Sequence, residues 1–144
     1  GLMQATQAMS RTGVLAGLQF QREPAQGKLV RAMSGCVFDV GVDVRPGSPS
    51  FGRWAAVELN SENKRQLYVP AGFAHGFLVL SETAEFTYKC TDIYHPVSEG
   101  GVRWDDPDIG IHWPAIDAPL LLSEKDKGLP ALAEQEFGFF ERWL

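Results

Sequence analysis

Between residues 13 and 90 the chain alternates apolar and polar positions in short runs broken by turn residues. GVLAGLQFQ (13–21) has the alternation of a half-buried strand. VFDVGVDV (37–44) sets Phe38, Val40, Val42 and Val44 on one face and Asp39, Gly41 and Asp43 on the other. WAAVEL (54–59), QLYVP (66–70), GFLVL (76–80) and EFTYKC (85–90) read as further strands. The breaks are RPGSPSFG (45–52), SENKR (61–65) and the trio Ser81, Glu82 and Thr83. Short strands recurring about every 8–12 residues predict an antiparallel sandwich or barrel, not a helix-covered parallel sheet. Only ALAEQEFGFFERWL (131–144) reads as a helix, and Gly138 interrupts it. The chain holds no internal repeat, linker or low-complexity segment, so one β-rich domain over 1–144 is expected.

Composition narrows the partners. A length of 144 residues, with 44% hydrophobic and 22% charged residues, suits a globular domain with a real core. The formal net charge of -5 argues against nucleic acid or an anionic membrane as the main partner. A phosphorylated small molecule remains compatible, because a few local cations are enough to hold it. No apolar run approaches the roughly 20 residues of a membrane span, and no secretion signal opens the chain. Cys36 and Cys90 lie in apolar strand contexts far apart, which predicts two buried thiols in a cytoplasmic protein.

The strongest local chemical signal is PAGFAHGF (70–77). Pro70 ends a strand, Gly72 permits a tight turn, and His75 re-enters a strand beside Gly76. P-x-G-x-x-H is the second half of the cupin pattern, which presents a histidine into a barrel mouth. His75 is therefore a pocket candidate, the plain alternative being a hydrogen-bonded core histidine. Metal binding is not expected, since His75, His95 and His112 form no H-x-H pair with a matching carboxylate.

In AQGKLVR (25–31), Lys28 and Arg31 stand three apart on a strand and so face opposite ways. A lysine pointing inward could stabilise an enolate oxygen or hold a phosphate. Arg31, Arg103 and the NKR run (63–65) are candidates for a diphosphate clamp, or else scattered surface charge. Tyr88 shares a face with Phe86 and Cys90, as core or as a proton donor at a pocket wall. RWDDPDIGIHWP (103–114), with two Trp, is expected to pack over the barrel. Asp126 falls in LSEKDKG (122–128), where a turn or cap role is the default.

Taken together, QGKLVR, GCVFDVGVDVR, SPSFGRW, VELNSENKRQLYVPAGFAHGFLVLSETAEFTYKCTD, RWDDPDIGIHWP and LSEKD closely resemble the dTDP-4-dehydrorhamnose 3,5-epimerase family, from about Gly13 to Lys127. The resemblance implies an all-β, cupin-type jelly roll with a short C-terminal helix, without metal or other cofactor, and usually a homodimer. It also implies a cytoplasmic enzyme of deoxysugar-nucleotide metabolism, acting on a dTDP-4-keto-6-deoxyhexose through an enolate. In that family a strand histidine oriented by an aspartate is the base, a lysine stabilises the oxyanion, and a tyrosine returns the proton. By resemblance Lys28, His75, Tyr88 and Asp126 match catalytic positions, while Gln4, Arg31, Tyr94 and Arg103 match or neighbour binding positions. The resemblance further marks the chain as an N-terminally short member.

One stretch departs. Where the family strand reads close to G-V-L-R-G-L-H-F-Q, this chain has Ala16 for the arginine and Gln19 for the histidine. A carboxamide cannot take up a proton at neutral pH, so Gln19 is expected to bind the sugar without acting as base. Three readings stay open on the residues alone. One is an epimerase of impaired or altered activity, one is a non-catalytic sugar-nucleotide binder, and one is a pocket reused on a less charged substrate.

Overall fold

The computed structural model describes residues 4–22, 27–90 and 99–135. Among the described residues nine strands run β1 (Gln4–Arg11), β2 (Leu15–Gln21), β3 (Lys28–Ser34), β4 (Cys36–Asp43), β5 (Trp54–Asn60), β6 (Gln66–Val69), β7 (Phe73–Val79), β8 (Thr83–Cys90) and β9 (Glu99–Gly101). They form a four-stranded sheet, β1-β8-β3-β6, and a five-stranded sheet, β5-β4-β7-β2-β9, with antiparallel ladders throughout. The two-sheet architecture is the sandwich that the strand spacing predicts and the jelly roll that the resemblance implies.

The central strands β4, β7 and β2 of the five-stranded sheet are covered on both faces. Val40, Val42 and Val44 pack with Leu18, Phe20 and Ala74, and are covered by Val102, Ile109 and Leu132. Phe38 and Trp113 close this layer edge to face, with ring centroids 5.8 Å apart. The RWDDPDIGIHWP segment thus packs over the sheet as expected. The opposite face meets the four-stranded sheet, where Val37, Leu59, Phe77 and Val79 pack on Val30, Ala32, Ala84 and Phe86. Asp39 and His75 lie on this inner side, because residues two apart on a strand share a face. The polar face of VFDVGVDV therefore looks into the sandwich and not into solvent; Asp39 is 1% exposed.

β2 does not keep simple alternation. Ala16 pairs with Phe77 and Gln19 with His75, so Gly17 and Leu18 together oppose Gly76 alone. This bulge brings Ala16 and Gln19 to the inner side, while Leu18 and Phe20 join the outer layer. Gly17 has φ +123°, and a Cβ there would lie 2.7 Å from Gly76 Cα and 2.9 Å from His75 O. Neither space nor backbone conformation admits a side chain.

Three expectations need correction. The helix expected over 131–144 is, in its described part, a single 3-10 turn at Leu132–Glu134, and residues 136–144 lie outside the described residues. Asp126 is not in a loop but in α1 (Glu124–Lys127), whose N-cap Ser123 accepts from the Asp126 amide. Cys90 is buried but Cys36 is only half-buried; both thiols are free, and burial followed by the Glu58 carboxylate pushes the Cys36 thiol up to about 11.

The turn after β4 is pinned by Asp43. Its carboxylate accepts from the Arg45 amide and guanidinium at 3.0 Å, from Ser48 Oγ at 2.6 Å and from Ser50 Oγ. Burial alone raises this group, but the Arg45 guanidinium and the two hydroxyls outweigh it and hold Asp43 at about 2.

Two measurements test these supports. Gly17→Ala should cost about 2 kcal/mol or more through backbone strain, lowering the melting temperature by about 4 °C or more. The depressed Asp43 contributes stability that is fully present above its unfolded value near 3.8 and lost as pH falls toward about 2. Asp43→Asn should therefore flatten the loss of melting temperature between those two pH values.

Candidate active site

Between the sheets a cavity of about 160 Å³ is lined by Ala16, Gly17, Gln19, Lys28, His75, Gly76, Phe77 and Tyr88. Each chemical group arrives from a different strand. β3 brings Lys28 inward because it shares a face with Val30 and Ala32, while Arg31 falls on the outer, exposed side. The three-residue spacing predicted this division. β8 turns Tyr88 inward beside Phe86, whose ring centroid is 5.4 Å away. β7 presents His75, with the Tyr88 ring edge-on at 5.9 Å and 86°.

Two buried carboxylates hold the polar groups of the cavity. Asp39 Oδ1 lies 2.7 Å from His75 Nε2, with both residues buried, while Asp39 Oδ2 has no hydrogen-bond partner among the described residues. A carboxylate only accepts, so this contact puts a ring proton on Nε2, and in the neutral imidazole Nδ1 is then the acceptor. His75 is thus both a hydrogen-bonded interior histidine and a cavity wall. Asp126, 3% exposed, accepts from Gln19 Nε2 at 2.8 Å through Oδ1 and from the Gly17 amide at 3.1 Å through Oδ2. A turn-only role for Asp126 is therefore set aside.

Burial also tunes the remaining two groups. Desolvation pulls the Lys28 ammonium below its ordinary value, partly offset by the nearby Cys90, Glu99 and Asp39. The residue as a whole is only partly buried, because the cavity opens beside it. Desolvation, followed by Asp39 and Cys90, raises the Tyr88 phenol above its ordinary value, so it keeps its proton at neutral pH. The site offers a cation, a protonated phenol, an imidazole with an open nitrogen and an amide, on a partly apolar floor of Ala16 and Phe77.

Not every candidate converges here. Arg103 is exposed and paired with Asp105 at 2.7 and 3.1 Å, and the Asn63, Lys64 and Arg65 turn is exposed. Gln4 falls on β1 in register with Cys90, which also pairs with Lys28; its side chain lies outside the described part. Tyr94 lies outside the described residues. Among the described residues, no three His, Cys, Asp or Glu gather as a metal cluster would. Asp39 and Gly17 are the functional positions that motif reading passed over. The signal for Asp39 was available: a carboxylate in the middle of a valine-rich strand.

Comparisons with known proteins show what the chain is similar to. The model of the dTDP-4-dehydrorhamnose 3,5-epimerase family matches residues 1–134. A dTDP-4-dehydrorhamnose 3,5-epimerase of Pseudomonas aeruginosa is 55% identical over 134 residues, covering 93% of this chain and 74% of the relative. The crystal structure of a dTDP-6-deoxy-D-glucose-3,5-epimerase of Legionella pneumophila, in complex with dTDP-4-keto-L-rhamnose, superposes with TM-score 0.93 at 47% identity. The superposition covers 96% of this chain and 73% of that one. A 3'-monoepimerase of Streptomyces bikiniensis in complex with dTDP-quinovose superposes with TM-score 0.86 at 40% identity, covering 92% and 67%.

The Lys28 environment makes a direct prediction. Lys28→Met keeps the stem and removes a desolvated charge, so the melting temperature at pH 7 should rise. Because folding lowers the Lys28 value, wild-type stability recovers as pH climbs toward 10.5, and the gap between the two proteins should shrink over that range.

Proposed function

We propose a function from one premise: the chain belongs to the dTDP-4-dehydrorhamnose 3,5-epimerase family. It binds a dTDP-4-keto-6-deoxyhexose and inverts a carbon next to the ketone. The observation that carries this reading is the convergence of Lys28, His75, Tyr88 and Gln19 on one small cavity. Its volume, about 160 Å³, is below the roughly 300 Å³ at which pockets for drug-sized ligands begin. A sugar ring fits that scale, and the nucleoside diphosphate then lies outside the cavity.

The chemistry follows from the groups present. The ketone at C4 acidifies the hydrogens at C3 and C5, and removing one leaves an enolate. The Lys28 ammonium stabilises the oxygen on which that charge collects. Tyr88, held protonated by burial, returns a proton to the carbon from across the ring. Gln19, fixed by Asp126, orients the sugar through its amide carbonyl but supplies no basic nitrogen. Turnover is accordingly slow.

The same reading includes a homodimer in the cytoplasm. The outer face of the four-stranded sheet exposes Met9 at 73%, Tyr68 at 52% and Met33 at 46% among the polar Arg31, Gln66 and Lys89, a mixed surface suited to a second copy. Free thiols at Cys36 and Cys90 fit a reducing compartment.

Incubating the protein with dTDP-4-keto-6-deoxyglucose in heavy water should place deuterium at C3 or C5, read by NMR, faster than buffer alone. No exchange at high protein concentration would reject epimerisation in favour of binding without turnover. Gln19→His, which sets an imidazole against the waiting Asp126, should raise the exchange rate by about 10²–10⁴-fold.

A further inference from the structure

We propose that His75, paired with Asp39, is the proton acceptor of this cavity, taking the role that Gln19 cannot fill. The inference rests on the epimerase reading and deepens it. The other cavity groups are each unsuited to the step. Gln19 is an amide. Asp126 has both oxygens engaged by Gln19 Nε2 and the Gly17 amide. Tyr88 already carries its proton, and Lys28 is the cation that faces the developing oxyanion.

His75 has the opposite character. Its Nε2 is bound to Asp39, its Nδ1 carries the lone pair of the neutral ring, and the ring lines the cavity. Asp39 Oδ2 is buried without a hydrogen-bond partner, so the carboxylate is incompletely compensated in the resting protein. An imidazolium formed beside it answers that charge, as a carboxylate does for a histidine base in hydrolytic triads.

The step is balanced. The C–H bond next to the ketone breaks and an Nδ1–H bond forms, while the electron pair moves through the new C–C double bond to the ketone oxygen. The enolate collapses as its carbon takes the Tyr88 proton on the other face. Solvent then carries the His75 proton back to the phenolate, and no oxidant or reductant is needed. The edge-on placement of the two rings, 5.9 Å between centroids, puts acceptor and donor on one cavity.

The test separates proton uptake from structural support. His75→Gln retains an N–H donor for Asp39 but no basic nitrogen, so it should keep the melting temperature and dTDP affinity near wild type. Its deuterium exchange should fall about 100-fold or more. Exchange at the wild-type rate in this variant overturns the proposal. Should His75→Gln not fold, His75→Ala with imidazole in the buffer provides the readout. Exchange that is lost and then returns with imidazole supports the proposal, and exchange that never falls, or never returns, overturns it. Absence of exchange in the wild-type protein overturns the epimerase reading itself, and this proposal with it.

Discussion

Gly17 on β2 and Gly76 on β7 approach so closely that a Cβ on either would collide with the other strand's backbone: one on Gly17 with Gly76 Cα at 2.7 Å, one on Gly76 with Ala16 O at 2.7 Å. Most of the site follows from that contact. The bulge it accommodates turns Ala16 and Gln19 to the same side, which regular pleating forbids for residues three apart. The same bulge frees the Gly17 amide from the ladder to donate to Asp126, and so anchors the one-turn helix α1 against the sheet. Cavity floor, carboxylate anchor and sheet curvature are one local arrangement.

Around that arrangement two of the buried carboxylates back the cavity, with contrasting partners. Asp126 is satisfied by an amide and a backbone N–H, neither of which acts as an acid or base near neutral pH. Asp39 is satisfied on one side only, by an imidazole that can. A carboxamide reproduces the hydrogen-bonding of an imidazole and not its basic nitrogen. This is why glutamine can stand at position 19 without disturbing the fold while changing the proton chemistry available there.

The four-stranded sheet completes the enclosure from the other side. Lys28 and Tyr88 enter through β3 and β8, and both bring polar ends into a region dense with aliphatic and aromatic side chains. Desolvation acts on them in opposite senses: it weakens the hold of the ammonium on its proton and strengthens that of the phenol. The phenol is thereby kept as a donor, and Phe77 and Phe86, with centroids 4.6 Å apart, seal the cavity from below.

Strand periodicity, turn composition and the P-x-G-x-x-H stretch carried the architecture, because alternation and turn chemistry are local properties that the pleat preserves. The inward direction of Lys28 against the outward direction of Arg31 was legible for the same reason. The convergence of Lys28, His75 and Tyr88 on a single hollow was carried by the family resemblance and by no spacing along the chain. Tertiary structure alone decided that Asp126 is a buried anchor, that Asp39 backs His75, and that Ala16 and Gln19 share a side. Each of these depends on contacts between segments distant in sequence, 107 residues for Gln19 with Asp126 and 36 for His75 with Asp39. A one-residue bulge inverts the facing of everything beyond it, and no periodicity read along the chain records where such an inversion falls.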